Sequence, residues 1–326
     1  MEIVFAAHPE FPRHWSDLTL GHGVLHPFHL PGHLEYAREY FGGGFAECSV
    51  VVVEAGKPLL GVLWSVQNRP DGVVELNAFG RPVAYVEAGE IPSGQRQRAF
   101  MAVKQQLDTL LQTRSIAVLR YQDPLPGGAL TSLGEHLLDM GAVATPVFSS
   151  ILDLTHGTQP LWGRVRKSYK SLINWGRNHL EIQVAFDPDR FEAFRQLHIQ
   201  EAGRETRSPR SWELQAGMIQ QGEAFMITGE LEGTLVTAAL FIHNAATCYY
   251  GVSASRRDLF DKPLSHAILW RAIEQARQLG CRQFEMGEQL YPNQHNPDRK
   301  NLNISQFKRG FGGDTRLSLD LRWSRP

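Results

Sequence analysis

Two stretches of this chain gather residues able to do chemistry. The first runs Tyr249-Tyr250-Gly251-Val252-Ser253-Ala254-Ser255-Arg256-Arg257, crosses residues 258–263 and reaches Leu264-Ser265-His266. A strand entering a loop and then a helix start presents unpaired backbone N–H groups and the positive end of a helix dipole, which suits a phosphate. Arg256, Arg257 and Lys262 add charge for the pyrophosphate of a carrier such as coenzyme A, with Ser253 and Ser265 beside them. The same residues also suit a solvated basic turn capped by Ser265, and a Gly-rich phosphate loop is missing. The second stretch is Phe284-Glu285-Met286-Gly287-Glu288, followed after a polar loop by ISQFKRGFGG at 304–313. A strand end carrying Glu285 and Glu288 beside a return segment carrying Lys308 and Arg309 sets acids and bases at one sheet edge, an arrangement for proton transfer. A surface ion pair next to a glycine-rich turn is the plainer alternative.

These residues need elements to hold them, and hydrophobic patterning supplies candidates. Aliphatic runs at 48–54 and 59–66 flank Ala55-Gly56-Lys57-Pro58 and read as a hairpin. A strand at 73–78 follows the Asp71-Gly72 turn. Phe100, Val103, Leu107, Leu110 and Leu111 recur at three- and four-residue spacing and predict an amphipathic helix over 93–113. A strand over 115–121, a helix over 131–140 and a strand over 142–154 close the first half. The second half repeats the order. It offers a basic helix over 162–176, a strand over 181–186, a helix over 189–202 opened by Pro188, and a helix around 211–219 with Ser208 or Ser211 as its cap. A hairpin pairs 224–230 with 234–243 across Leu231-Glu232-Gly233, and a strand over 247–254 follows. A helix over 264–279 ends at Gly280; a strand over 282–286, a Pro- and Asn-rich stretch, a short helix over 304–309 and a strand near 315–323 complete the chain. The order predicts an α/β (α+β) protein of two lobes, 1–155 and 156–326, each a mixed β-sheet flanked by helices.

Composition agrees. At 326 residues the chain exceeds the ~250–300 that one hydrophobic core organises. A hydrophobic fraction of 42% with 21% charged residues is that of a folded globular protein. Thirty-three Lys and Arg against 34 Asp and Glu give a net charge of −1, so no global field draws the molecule to nucleic acid or anionic lipid. Any polyanion must be met by a local patch, of which Arg164, Arg166, Lys167, Lys170 and Arg177 are the clearest example. Cys48, Cys248 and Cys281 lack CxxC or zinc spacing and read as reduced thiols, with no activating base next to Cys248. The start MEIVFAAHPEFPRHW lacks the charged region and apolar stretch of a secretory signal, and no run approaches the ~18 apolar residues of a membrane span, which predicts a cytoplasmic protein.

The string ISQFKRGFGG resembles the C-terminal "fK.gFGg" signature of the FemABX branch of the GNAT acyltransferases. The path from YYGVSASRR through KPLSHAILWRAIEQARQLGCRQFEMGEQ is similar to the same family, as are VRKSYKSLINWG at 165–176 and AGRETRSPRSW at 202–212. His26-Pro27-Phe28 and the region 36–41 resemble the family's opening element. The resemblance spans nearly the whole chain and is strongest after Val165. It implies two tandem GNAT-like lobes, with the acceptor in the cleft between them and the activated acyl donor on the second. Characterised members move an amino acid from aminoacyl-tRNA to the amine of a cell-wall precursor, and related members use acyl-CoA on amino sugars or other amines. The lysine of the family's "FK" pair helps bind substrate and stabilise charge, and Lys308 matches it. The chain departs from ordinary GNAT enzymes in lacking R-x-x-G-x-G/A before the helix.

The expected reaction is therefore N-acylation, which needs a neutral amine, a proton route and donors for a tetrahedral oxyanion. Lys308 is expected to stabilise charge, and Glu288 to accept a proton. The Tyr249 or Tyr250 hydroxyl and the strand amides near Ser253 serve the oxyanion or the leaving group. Lys167, Lys170, Arg204, Arg207 and Phe307 are the candidate substrate contacts. Near-zero net charge and a small basic cluster favour the smaller anionic donor, so acyl-CoA is expected as cosubstrate, with aminoacyl-tRNA as the alternative donor. The acceptor is expected to be a small molecule such as an amino sugar or a cell-envelope precursor. A lobe that keeps the fold and only binds is the non-enzymatic alternative. His22, His26, His29 and His33 would line up as metal ligands on one helix, but Pro27 and Pro31 interrupt it, so they are expected to line an acceptor entrance or a loop, with no metal.

Overall fold

Period-two alternation in the aliphatic runs and three-to-four spacing in the longer ones produce strands and helices in turn. The computed structural model describes residues 1–20, 26–42, 44–89, 91–292, 294 and 297–325. The first half contains β1 (Glu2–Phe5), α1 (Phe11–Leu20), α2 (Pro31–Phe41), β2 (Phe45–Glu47), β3 (Val50–Glu54), β4 (Lys57–Leu63), β5 (Ser65–Asn68), β6 (Val74–Asn77) and β7 (Ala84–Glu87). It continues with α3 (Ser93–Thr113), β8 (Val118–Asp123), α4 (Ser132–Asp139) and β9 (Val143–Asp153). The second half contains α5 (Thr158–Arg164), α6 (Lys167–His179), β10 (Glu181–Gln183), α7 (Pro188–Ala202), α8 (Pro209–Gln220), β11 (Ala224–Leu231), β12 (Thr234–His243) and β13 (Thr247–Ser255). It ends with α9 (Leu264–Gln278), β14 (Gln283–Glu288), α10 (Arg299–Arg309) and β15 (Asp314–Ser324).

The chain forms two compact units that are not contiguous in sequence. One comprises Met1–Leu25, Ala37–Val147 and Leu317–Pro326, the other His26–Tyr36 and Phe148–Arg316. Strands β9 and β15 and helix α2 therefore each belong partly to both units.

In the first unit, strands run in the orders β1-β3-β4-β7 and β15-β8-β6-β5-β2. All these pairs are antiparallel except β6 with β8. Leu60, Val62, Trp64, Leu76, Val103, Leu107, Tyr121 and Leu137 fill its core. A fully buried carboxylate, Asp123, closes the β8–α4 connection by accepting from Leu125 N at 2.9 Å, Thr131 N at 3.0 Å and Thr131 Oγ1 at 2.7 Å.

In the second unit the order is β10-β11-β12-β13-β14-β9, antiparallel except for β13 with β14, which α9 connects as a parallel crossover. Alternate residues of β11 face opposite cores. Phe225 and Ile227 join Phe241, Phe284, Met286, Ile173 and Ile273 on the side of α6 and α9, while Met226 joins Leu240, Phe194, Trp212 and Met218 on the side of α7 and α8. Each such large apolar side chain contributes roughly 1.5–3 kcal/mol by leaving water.

Three expectations need correction. The basic helix expected over 162–176 is broken: Val165 and Arg166 are extended, at ψ 132° and 133°, so that Arg166 N–H donates to Gly310 O at 2.9 Å and α5 and α6 are separate. The expected short helix at 304–309 begins five residues earlier, because Asp298 caps it by accepting from Asn301 N at 2.7 Å. Of the expected strand at 181–186 only Glu181–Gln183 pairs, ahead of the Asp187 cap and Pro188 of α7. Ser208, rather than Ser211, caps α8.

Candidate active site

Strands β13 and β14 pair over only three positions, Thr247↔Gln283, Cys248↔Phe284 and Tyr249↔Glu285. The functional side chains of the second unit collect around the last of these pairs. Two irregularities decide which way they point. On β13 the register with β12 shifts at Gly251, whose α-carbon leaves no room for a side chain because a β-carbon would lie 2.9 Å from Leu240 O. Before the bulge, Cys248 and Tyr250 face the α6/α9 core and Tyr249 faces the other way; after it, Val252 and Ala254 take the side of Tyr249. On β14 the register with β9 shifts between Glu285 and Gly287, and Gly287 sits at φ +83°, a conformation that favours glycine. The shift returns Glu288 to the side of Glu285, and both carboxylates act electrostatically on Lys308.

Lys308 lies in the last turn of α10 and reaches Gly287: a methyl group there would come 3.2 Å from Lys308 Nζ and 3.3 Å from Tyr249 Oη. Burial pushes the Lys308 ammonium below its ordinary pKa, with Glu285 and Glu288 opposing that fall. The FKRGFGG signature is the brace that delivers it. Phe307 packs with Tyr169, His266 and Phe311 at ring separations of 6.0, 5.1 and 5.4 Å, so its side chain serves an aromatic cluster. Gly310 lies against the Tyr169 ring, and Gly312 against the backbone of Arg164, each too close for a side chain.

A segment remote in sequence completes the cluster. His26 Nε2 lies 3.3 Å from Glu285 Oε2, and its ring meets Tyr249 edge-on at 5.3 Å. Phe28 packs on Tyr249 at 4.6 Å and stacks on His33 at 4.8 Å. The segment is fixed by Glu223, which accepts from Gly32 N at 3.0 Å at the start of α2. At Glu285 burial is the largest influence and raises the pKa, but His26, Arg316 and Lys308 together outweigh it and hold the carboxyl below its usual range.

The remaining expected residues lie elsewhere. Tyr250 stacks on Phe241 at 5.5 Å and bonds Ser253 Oγ at 2.8 Å, on the face away from Tyr249. Ser265, in the first turn of α9, bonds Ser255 Oγ at 3.0 Å. Arg256, Arg257 and Lys262 each hold a carboxylate, of Asp258, Glu201 and Asp261 respectively. Lys167 is exposed, and Lys170 lies over the Trp162 ring at 5.8 Å. Arg204 is exposed, whereas Arg207 donates to Tyr36 Oη at 3.1 Å. His22 lies outside the described residues, and among those described no group of three or more His, Cys, Asp or Glu is placed to hold a metal ion. No helix among them is long and apolar enough to cross a membrane. Glu285 is legible in the sequence as an acid at the sheet edge, and His26 as one of four spaced histidines and as part of His26-Pro27-Phe28, but nothing in local spacing links positions so far apart.

Residues 163–296 match the model of the acetyltransferase (GNAT) domain family. No curated protein matches the sequence. Among solved structures, FemX is similar at a TM-score of 0.75 and 11% identity, covering 98% of this chain and 97% of that one. A tandem GNAT protein from the clavulanic acid biosynthesis pathway is similar at 0.58 and 15% identity, covering 100% and 99%. L-PGS from Bacillus licheniformis is similar at 0.57 and 14% identity, covering 90% and 92%. At these identities the likeness is one of fold.

Proposed function

We propose that this chain, whose residues 163–296 match the GNAT domain family and whose fold is similar to that of FemX, is an N-acyltransferase that transfers an acyl group from acyl-CoA to the amine of a small acceptor, such as an amino sugar or a cell-envelope precursor. The observation that carries this reading is the meeting of Lys308 Nζ and Tyr249 Oη at Gly287, beside the carboxylates of Glu285 and Glu288. A partly desolvated ammonium is suited to the oxyanion of the tetrahedral adduct, where low dielectric strengthens its effect. A tyrosine hydroxyl next to it is suited to protonating the departing thiolate, and a carboxylate to taking the proton of the amine.

Donor contacts are assigned to the α9 start with Ser253, Ser265, Arg256, Arg257 and Lys262, and acceptor contacts to Lys167, Lys170, Arg204 and Arg207. Phe307 acts indirectly, by packing that fixes Lys308. The reaction is assigned to the cytoplasm, where the donor is available.

One observation favours a second reading, with aminoacyl-tRNA as donor. The three cations near α9 are already paired with carboxylates, whereas Arg166, Lys167 and Lys170 around the start of α6 carry no carboxylate partner among the described residues. Unpaired cations are the ones that displace counterions from a nucleic-acid backbone. Calorimetric titration with coenzyme A, acetyl-CoA and aminoacyl-tRNA separates the readings. Coenzyme A binding at about micromolar Kd supports the first; tRNA binding alone transfers the assignment to the second. Binding of an acceptor with no turnover from either donor identifies a lobe that only binds.

A further inference from the structure

We propose that Glu285, rather than Glu288, takes the proton from the attacking amine, and that His26 is the positioning residue that aims it. The inference rests on the acyltransferase reading above. The two carboxylates share a face of β14 but not an environment: Glu288 is exposed at the strand end, whereas the Glu285 side chain is only 14% exposed. Glu285 is also the last β14 residue paired with β13, directly opposite Tyr249, so it stands where the two strands part.

The hydrogen bonds of His26 define its role. Its Nδ1 accepts the Phe28 backbone N–H at 3.2 Å, capping the turn Pro27–His29, and its Nε2 faces Glu285 Oε2 at 3.3 Å. An imidazole whose Nδ1 accepts carries its proton on Nε2 and donates it to the carboxylate. Both ring nitrogens are thereby occupied, and His26 has no lone pair to offer an amine. It holds one carboxylate oxygen and leaves the other to the substrate. Against its burial, His26, Arg316 and Lys308 together keep Glu285 ionised, the form that can accept a proton.

The step balances without any further reagent. The amine lone pair attacks the thioester carbonyl carbon, forming the C–N bond, and the carbonyl electron pair moves to oxygen beside Lys308 Nζ. Attachment to that carbon makes the nitrogen's proton far more acidic than in a free ammonium, so a carboxylate of low basicity can remove it. The oxyanion then collapses, the C–S bond breaks, and the thiolate takes the Tyr249 proton. Glu285 returns its proton to Tyr249 through solvent, leaving one amide and one thiol.

The test uses the full chain, acetyl-CoA as donor and two small nucleophiles: ethanolamine, whose adduct nitrogen holds its proton firmly enough to need a base, and hydroxylamine, whose electron-poor adduct nitrogen loses its proton to water more readily. Glu285→Gln should lower transfer to ethanolamine about 100-fold or more and transfer to hydroxylamine by a clearly smaller factor. Glu285→Asp, which keeps the carboxylate, should fold and recover most of the ethanolamine rate. Nitrogen-15 shifts of His26 should report the Nε2–H tautomer, altered in Glu285→Gln. Equal loss with both nucleophiles, or the ethanolamine-selective loss in Glu288→Gln instead, overturns the assignment alone. No transfer to either nucleophile by the wild type overturns the acyl-CoA reading and this assignment with it.

Discussion

Adding one methyl group at Gly310 tests whether Lys308 is held by ring packing. The β-carbon of Gly310→Ala would lie 2.5 Å from Tyr169 Cζ and 2.7 Å from Cδ2, and closer still to Cε2. Gly310 sits at φ −64°, ψ −16°, which alanine adopts freely, so the whole cost is steric. The Tyr169 ring cannot swing aside. It is bounded by His266 at 4.6 Å, Phe311 at 5.5 Å and Phe307 at 6.0 Å, with the Arg166 guanidinium over its face at 5.1 Å. Overpacking of a boxed ring costs about 1–3 kcal/mol. In a chain of this size that lowers Tm by about 2–10 °C. Turnover should fall as well, because the displaced helix end carries Lys308 two residues earlier. Thermal melts of Gly310→Ala, with Gly310→Ala/Tyr169→Leu as the relieving double variant, read the effect. A single variant as stable as the wild type refutes the brace, as does a double variant with no recovery.

Three further outcomes are expected. Asp123→Ala leaves the buried Thr131 N–H, the half-buried Leu125 N–H and the Thr131 hydroxyl without this acceptor, and should lower stability by about 3 kcal/mol in urea unfolding while sparing turnover per folded molecule. Burial holds His198 and His266 down to about 4, with Arg207 adding to the effect at His198, against 6.5 in the unfolded chain. Between those values the unfolded chain takes up protons that the folded chain refuses, so stability is full above 6.5 and falls as pH drops toward 4. A urea series across that window should show the midpoint falling, with a shallower fall in His266→Phe; a flat midpoint contradicts the reasoning. Burial pushes Cys48 to about 12 and Cys281 to about 11, and Cys248 well upward, so all three thiols should resist alkylation at about pH 8 until the protein is unfolded. Rapid labelling of the native chain is the contrary result.

Much of the architecture was legible because it depends on local rules. The helix α3 matches its apolar spacing end to end, and the β11–β12 hairpin turns at Glu232-Gly233, both at positive φ, as a two-residue hairpin loop demands. Lys308, Tyr249 and the Glu285/Glu288 edge were visible as residue types in adjacent elements. Their orientation was not. Strict alternation puts Glu285 and Glu288 on opposite faces, and only the register shift of β14 against β9 brings both to Lys308. The α5–α6 break carries no proline or glycine signal at Val165 and Arg166; it exists because Arg166 N–H finds Gly310 O, more than 140 residues away. His26 reaches Glu285 through a segment that belongs to the second unit although it lies near the start of the chain. Such pairings arise from tertiary packing, which overrides local preference.

The central claim, that acyl transfer occurs at the Lys308 edge, is tested most directly by Lys308→Met, assayed for amide formation from acetyl-CoA beside a thermal melt. Methionine fills the same space without the partly buried charge, so Tm should stay within about 2 °C while turnover drops about 100-fold or more. A folded Lys308→Met with wild-type turnover would contradict the account.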